Sequence, residues 1–309
     1  MSKLDKIEEL QNILKEDPSN FQIRRQLAVL LLDTGYSEEA LQHFLYLSQI
    51  FQQDSGIFYN LGIVYEKLKK FDKAENAYLK AIEFAPEEID ATYNLGLVYI
   101  ELKEYNKAID CFQHVLEVDS DDSNSYFNIG IAYFKKGDLI EAMDNFVKTV
   151  ELNDDDIYAH FYIGNIFKEF GDNDSAAQEF LKVLEISPDY SWAYYNLGVI
   201  DYEEGRTEDA IEKLEKTIEL NPKDIEAYKI YVKILAKDGD LESANDLIKQ
   251  ALKNCGGNGD LFYIYAQIKK RLNDIDACVN YLQKALENND TLSIAPRTVK
   301  AEIDKYLAQ

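Results

Sequence analysis

The sequence has few of the residues on which all-β, disulfide-rich and membrane-spanning proteins depend. Its 309 residues include only 14 Gly and 5 Pro, which disfavours an all-β fold because such folds need frequent turns. The three cysteines are far apart and form no CxxC motif, so we expect no disulfide framework. No apolar run reaches about 18 residues, and the first ten residues, MSKLDKIEEL, are too charged for a secretory signal. We therefore predict a cytoplasmic protein.

Positive charge is also scarce. The chain has 33 Lys and Arg against 57 Asp and Glu, a formal net charge of -24. Binding to nucleic acid or to anionic membranes needs basic side chains that displace counterions, so neither partner is expected. Apolar residues make up 46% of the chain, enough for a sizeable core. The charge favours basic or neutral partners.

A repeat of 34 residues runs through most of the chain. Gly62, Gly96 and Gly130 are 34 residues apart, and Gly164 and Gly198 continue the series. Other glycine and alanine series keep the same step. In this register the chain divides into eight repeats without insertion or deletion, with a predicted half-repeat helix at each end. The predicted divisions are a cap at 1–20, repeats at 21–54, 55–88, 89–122, 123–156, 157–190, 191–224, 225–258 and 259–292, and a cap at 293–309.

Each repeat carries two stripes of apolar residues at helical spacing, which predict two amphipathic helices, A and B. In the second repeat, Phe58, Leu61 and Tyr65 form the first stripe and Ala74 and Tyr78 belong to the second. Glycine at position 8 and alanine at position 20 should let the two helices approach closely. Glycine at position 15 should end helix A. A single helix pair cannot bury both stripes, whereas stacked pairs can.

The pattern resembles the tetratricopeptide repeat, which has an aromatic residue at position 4, Leu-Gly at 7–8, Tyr at 11, Ala at 20, an aromatic at 24, Ala at 27 and Pro at 32. The second repeat, SGIFYNLGIVYEKLKKFDKAENAYLKAIEFAPEE, shows it well. The resemblance covers 272 of 309 residues. It implies an all-α fold, a right-handed superhelical α-solenoid of antiparallel helix pairs.

No motif for catalysis or cofactor binding is present. The sequence has no GxGxxG, P-loop, HExxH or GxSxG, and its three histidines fall in different repeats without ligand spacing. Cys278 takes the alanine position of the eighth repeat, so we expect a buried, inert thiol. We predict no enzyme activity, no cofactor and no metal site.

The resemblance implies that helix A lines the inner, concave wall of the solenoid, mainly through positions 2, 5, 6, 9, 12 and 13. In repeats two to six these positions carry aromatic and aliphatic residues beside a row of asparagines. An exposed apolar surface of this kind marks a binding site, and an asparagine amide can both donate to and accept from a peptide backbone. The predicted groove residues are Tyr59, Asn60, Ile63, Tyr93, Asn94, Leu97, Phe127, Asn128, Ile131, Phe134, Phe161, Asn165, Trp192, Tyr195, Asn196 and Val199.

A purely structural explanation of these residues stays open, because asparagine at position 6 is common in the family and rings at position 5 can pack between helices. The family members that grip C-terminal carboxylates of chaperone tails use Lys at position 5 before Asn at position 9, then Asn at position 6 of the next repeat. Here Phe161 stands before Asn165 and Asn196, and Ile264 stands where Lys229 and Lys233 would need an asparagine. We therefore do not expect that type of site.

Charge is divided unequally along the chain. Residues 225–309 carry 12 basic and 12 acidic side chains, whereas residues 1–224 carry 21 and 45. This predicts a mostly negative solenoid with a basic stretch near its C-terminal end, although solvated lysines would give the same pattern. The basic residues concerned are Lys229, Lys233, Lys237, Lys269, Lys270 and Arg271.

These observations predict a non-catalytic scaffold or adaptor that binds an apolar peptide or helix of a partner protein in its groove. Two alternatives stay open. The protein could self-associate through the groove or an end, although we expect a monomer, or it could be the interaction part of a larger assembly with a separate catalytic component.

Overall fold

The computed structural model describes residues 2–307. These residues form eighteen α-helices and one short 3₁₀ turn and contain no β-strand, which confirms the all-α prediction. Backbone contacts group the chain into two compact units, an N-terminal unit (residues 1–159) and a C-terminal unit (residues 160–309). Within each unit most helices pack against the next one along the chain, as in a solenoid. Met1, Ala308 and Gln309, which belong to the predicted caps, lie outside the described residues.

The helices of the N-terminal unit are α1 (Lys3–Glu16), α2 (Phe21–Asp33), α3 (Ser37–Ile50), α4 (Ser55–Lys67), α5 (Phe71–Phe84), α6 (Ile89–Glu101), α7 (Tyr105–Val118), α8 (Ser123–Lys136) and α9 (Leu139–Leu152). Helix α10 (Ile157–Glu169) includes the boundary between the units. The C-terminal unit continues with α11 (Asn173–Ile186), α12 (Ser191–Glu203), α13 (Thr207–Leu220), α14 (Ile225–Asp238), α15 (Leu241–Cys255), α16 (Gly259–Arg271), α17 (Ile275–Glu287), a 3₁₀ turn at Asn289–Thr291 and α18 (Pro296–Leu307).

The even-numbered helices from α2 to α16 are the A helices, and each begins 34 residues after the previous one. Acidic or amide side chains before several of them cap the first turn, as Asp54 does when Oδ1 accepts the backbone N–H of Ile57 at 3.0 Å. Asp122 and Asp224 do the same for α8 and α14. Such caps satisfy backbone donors that have no partner within the helix.

Glycine at position 8 makes room for the side chain at position 24 of helix B. A Cβ at Gly130 would lie 2.7 Å from the Phe146 ring, and one at Gly96 would lie 2.7 Å from the Phe112 ring. These rings are completely buried. The predicted close approach therefore exists, and its main partner is the ring at position 24.

Position 15 has a left-handed backbone in all eight repeats. The glycines there include Gly137 at φ 92°, which ends α8, and Gly239 at φ 90°, which ends α14. Lys69, Lys103 and Asn273 adopt φ values of 54°, 62° and 60° at the same position. Helix A therefore ends in the same way even where a side chain makes that conformation costly.

The two ends of the chain pack on their neighbouring helices through a few apolar residues. Helix α1 buries Ile7, Leu10 and Leu14, and α18 buries Val299 and Ile303. No helix among residues 2–307 has both the length and the apolar character needed to cross a membrane.

Candidate functional site

The A helices of the N-terminal unit carry ten of the sixteen predicted groove residues, and neighbouring A helices such as α6 and α8 contact each other. Nine of the ten are half-buried, and Ile131 is buried, with 9% of its surface exposed. The ten residues are Tyr59, Asn60 and Ile63 on α4, Tyr93, Asn94 and Leu97 on α6, and Phe127, Asn128, Ile131 and Phe134 on α8.

The rings at position 5 rest on the core rings of their own repeats. The Tyr93 and Phe112 centroids are 5.4 Å apart with an edge-to-face geometry, and those of Phe127 and Phe146 are 5.6 Å apart. Both distances fall in the range of favourable aromatic pairs. The rings thus contribute to packing within each repeat while part of their surface stays accessible.

Two asparagines at position 6, Asn94 and Asn128, link consecutive repeats. Asn94 Nδ2 donates to the Tyr59 hydroxyl at 3.2 Å, and Asn128 Nδ2 donates to the Tyr93 hydroxyl at 2.9 Å. Asn128 Nδ2 also donates to the carbonyl of Asn124 at 2.9 Å, which fixes the orientation of its amide. We call this chain of contacts (Tyr59–Asn94 and Tyr93–Asn128) the Tyr–Asn row. Its hydrogen bonds connect each tyrosine to the next helix A.

The Tyr–Asn row leaves hydrogen-bonding capacity unused. Within residues 2–307, Oδ1 of Asn94 and Asn128 accepts no hydrogen bond. Burial raises the pKa of Tyr59 and Tyr93, so their hydroxyls stay protonated at neutral pH. Each hydroxyl accepts from an asparagine and keeps its own proton available for donation. The row therefore retains two amide oxygens and two hydroxyl protons that have no partner within residues 2–307.

The Tyr–Asn row requires a tyrosine at position 5, and the first and fourth repeats lack one. Phe127 has no hydroxyl, and position 5 of the first repeat is Arg25, which pairs with Asp54 at 2.6 Å. Asn60 instead donates to the carbonyl of Gly56 at 2.6 Å. The row is thus confined to repeats two to four, and its sequence signal is a tyrosine at position 5 of the preceding repeat, which Asn60 lacks.

The remaining six predicted residues lie in the C-terminal unit, Phe161 and Asn165 on α10 and Trp192, Tyr195, Asn196 and Val199 on α12. Both polar atoms of the Asn196 amide already form hydrogen bonds within the protein. It is 6% exposed, its Nδ2 donates to the carbonyl of Trp192 at 2.9 Å, and its Oδ1 accepts from Lys168 Nζ at 2.7 Å. Its capacity for contact with a ligand is accordingly small.

Asn165 and Trp192 are better placed for contact. Asn165 is half-buried and makes no hydrogen bond within the part of the chain that the structure describes. Trp192, the only tryptophan in the sequence, is 50% exposed. Its ring centroid is 6.3 Å from that of Tyr195 in an edge-to-face arrangement. The C-terminal unit thus offers an accessible amide and two aromatic side chains on consecutive A helices.

The cysteine thiols lie in environments that disfavour nucleophilic chemistry. Burial raises the pKa of all three thiols, that of Cys111 to about 12, so none is an activated nucleophile. Cys278 is fully buried, as predicted. His160 is 9% exposed and its Nδ1 lies 2.7 Å from Glu179 Oε2. Residues 2–307 contain no cluster of three His, Cys, Asp or Glu side chains that could hold a metal ion.

The structure also shows two clefts that were not among the predicted sites. One of about 670 Å³ lies between α13 and α15, where Tyr231 replaces the usual leucine and donates to Glu215 at 2.6 Å. Another of about 390 Å³ lies between α14 and α16, beside Lys233 and Arg271. The loss of the Leu-Gly pair at Tyr231-Val232 was the sequence signal for a change here.

The geometry defines a class of protein, the helical-repeat scaffold built from successive pairs of A and B helices. Sequence models described as tetratricopeptide repeats match residues 56–88, 77–110, 123–156, 167–234 and 259–291, and one described as a TPR repeat matches 96–137. Together these matches cover more than half of the chain. The chain belongs to the tetratricopeptide repeat family. Comparison with curated protein sequences found no match.

Solved structures of similar proteins support the fold. The C-terminal part of a TPR repeat-containing protein from Cytophaga hutchinsonii has 20% identity and a TM-score of 0.63, with 76% of this chain and 97% of that chain covered. MamA from Desulfovibrio magneticus RS-1 has 24% identity and a TM-score of 0.53, with 56% and 97% covered. YrrB, described as a TPR protein with an unusual peptide-binding site, has 26% identity and a TM-score of 0.50, with 60% and 96% covered.

Proposed function

We propose that the protein is a non-catalytic scaffold whose A-helix face binds a peptide segment of a partner protein, with repeats two to four as the main contact. The observation that carries the proposal is the Tyr–Asn row, which holds half-buried rings in register and leaves hydrogen-bonding atoms unused. Membership of the repeat family and the peptide-binding site named for YrrB support it.

In the proposed complex, an extended peptide lies along the row. Oδ1 of Asn94 and Asn128 accepts backbone N–H groups of the peptide, and the hydroxyls of Tyr59 and Tyr93 donate to its carbonyls. Leu97 and Phe127 contact apolar side chains of the peptide. In the C-terminal unit, Asn165 and Trp192 offer the same kinds of contact. These contacts are mostly uncharged, so affinity should depend only mildly on salt.

A display selection tests this proposal. Random twelve-residue peptides would be selected against the purified protein and then titrated calorimetrically against the wild type, Leu97→Glu and Leu79→Glu. Leu79 lies on α5, a B helix, and is 44% exposed, so it provides a matched change away from the proposed face. Circular dichroism melting would establish that both variants fold.

The expected result is that Leu97→Glu weakens binding by about tenfold or more, equivalent to 1.4 kcal/mol, while Leu79→Glu has little effect. Peptides that lose affinity only with Leu79→Glu would place the site on the B helices and contradict the proposal. Self-association remains the second candidate. It would be favoured by a dimer in light scattering that dissociates in Leu97→Glu.

A further inference from the structure

A cleft of about 390 Å³ between α14 and α16 combines apolar walls with positive charge. The A helices α14 and α16 contact each other, and the cleft lies along this contact. Ile230 and Val232 line it from α14, and Tyr263, Ile264 and Ile268 line it from α16. Lys233 and Arg271 also belong to its wall. An apolar cavity with a few polar groups is typical of a binding site.

The basic side chains at this cleft differ in whether they form ion pairs within the protein. Lys229 is paired inside the protein, with Glu226 at 2.9 Å and Asp260 at 3.1 Å. Lys233 forms no ion pair with any residue in 2–307, and its Nζ lies 5.5 Å from the centre of the Tyr202 ring. Arg271 donates to the carbonyl of Ala236 and likewise makes no ion pair among these residues.

Many lysines of the protein form no ion pair within residues 2–307, so the distinctive feature here is that such cations are grouped beside an apolar cleft. Lys237, one helical turn after Lys233, is also without an ion pair within the described chain and lies 5.6 Å from the same Tyr202 ring. Three cations on neighbouring A helices thus keep their charge available beside an apolar cleft. Residues 225–309 are neutral overall, while the rest of the chain is strongly acidic. A ligand of opposite charge is therefore favoured at this place.

We propose that the cleft between α14 and α16 binds an acidic segment of another protein. One apolar side chain of the segment enters the cleft against Ile230 and Ile264, and flanking carboxylates pair with Lys233 and Arg271. Arginine suits a carboxylate because its guanidinium can donate two parallel hydrogen bonds. This site shares no residue with the Tyr–Asn row, so either can be correct without the other.

The test uses fluorescein-labelled peptides and fluorescence anisotropy. The first probe is a capped decapeptide, Asp-Glu-Asp-Glu-Leu-Leu-Glu-Asp-Glu-Asp, and the second replaces every acidic residue with Asn or Gln. A third, with a free C-terminal carboxylate on the neutral sequence, distinguishes a terminal carboxylate from side-chain carboxylates. The proteins are the wild type, the double variant Lys233→Gln/Arg271→Gln and the control Lys249→Gln/Lys253→Gln. Lys249 and Lys253 are exposed on α15, so the control changes the net charge equally.

The proposal predicts that the acidic probe binds the wild type at least about tenfold more tightly than the neutral probe. The double variant should lose about tenfold of this affinity, and the control should change it by less than about twofold. Higher salt should weaken binding. No binding of the acidic probe, equal binding of the acidic and neutral probes, or equal loss in both variants would overturn the proposal. Preference for the third probe would assign the cleft to a terminal carboxylate instead. A dimer that dissociates only in Lys233→Gln/Arg271→Gln would replace the foreign segment with a second copy.

Discussion

Asn128 Nδ2 donates to the Tyr93 hydroxyl at 2.9 Å and so joins the third and fourth repeats across their A helices. The same relationship joins Asn94 to Tyr59 one repeat earlier. Because each bond connects residues 35 positions apart, it contributes to the interface between repeats and not to a single helix. Solenoid stability depends strongly on such interfaces between neighbours.

Removal of the Tyr93 hydroxyl should therefore weaken the interface. We expect Tyr93→Phe to lower the free energy of unfolding by about 0.5–1.5 kcal/mol, the usual net value of one hydrogen bond. Tyr65→Phe is the matched control because Tyr65 is half-buried and its hydroxyl makes no hydrogen bond within residues 2–307. Urea denaturation followed by circular dichroism measures both. Equal effects of the two changes would contradict a structural role for the bond.

Two glycine-to-alanine changes should have opposite effects. A Cβ at Gly130 would lie 2.7 Å from the Phe146 ring, so Gly130→Ala should cost about 1–3 kcal/mol through overpacking. A Cβ at Gly56 would meet only Asp54 Oδ1 at 3.4 Å, an ordinary contact. Gly56→Ala should therefore stabilise helix α4 by up to about 1 kcal/mol. Thermal melting checks the pair, and a similar melting temperature for both variants would refute the assigned packing.

At Lys69 the backbone conformation of the wild-type protein is unfavourable for a residue with a side chain. Its φ of 54° is left-handed, a conformation that costs a non-glycine residue about 1–2 kcal/mol. Lys69→Gly should raise stability by roughly 0.5–1 kcal/mol after the flexibility of glycine is deducted. The neighbouring Lys70 has φ −99°, so Lys70→Gly should give no gain. Denaturant midpoints distinguish the two, and a loss of stability in Lys69→Gly would show that its side chain matters more than its backbone.

The free energy of unfolding should depend on the titration of His43, which lies on α3. Burial lowers the pKa of His43 in the folded protein, and Arg24, whose Nη1 lies 3.2 Å from His43 Nδ1, lowers it further. Below the ordinary pKa of about 6.5, the unfolded chain then binds more protons than the folded one, so stability falls as pH falls.

His43→Gln cannot take up this proton. The stability of the wild type relative to His43→Gln should therefore decrease as pH falls from about 7.5 to about 5, across the ordinary histidine pKa. Denaturation of both proteins over this range measures the difference. A constant difference between them would show that His43 does not titrate differently in the two states.

Much of the fold could be predicted from the sequence because residues needed for helix packing recur at the same positions in eight repeats. Gly130 and Phe146 recur at fixed positions, so their contact could be predicted as a close approach of two helices. The left-handed backbone at Lys69 and Lys103 could not be read from those residues themselves, since lysine gives no conformational signal. It is imposed by the same helix packing that uses glycine elsewhere.

Less of the candidate site than of the fold could be predicted from the sequence. The row of asparagines was visible, but the sequence did not show which amides already have partners. Asn196 is occupied by Lys168 and by the carbonyl of Trp192, while Asn165 has no partner within residues 2–307. Asn196 stands at position 6 and Asn165 at position 9, and the repeat pattern does not specify that the Lys168 side chain reaches Asn196. Direct contact of the sixteen predicted residues with a ligand stays a prediction.

The central claim, that the asparagines of the Tyr–Asn row hold a peptide backbone, is tested most directly by calorimetric titration of a selected peptide. The variants are Asn94→Ala/Asn128→Ala and the control Asn76→Ala/Asn145→Ala, whose asparagines donate to backbone carbonyls on B helices at 2.7 and 2.8 Å. Two lost hydrogen bonds of about 0.5–1.5 kcal/mol each should weaken binding by roughly 5–150-fold, with the control unchanged. Unchanged affinity in the folded Asn94→Ala/Asn128→Ala protein would contradict the claim.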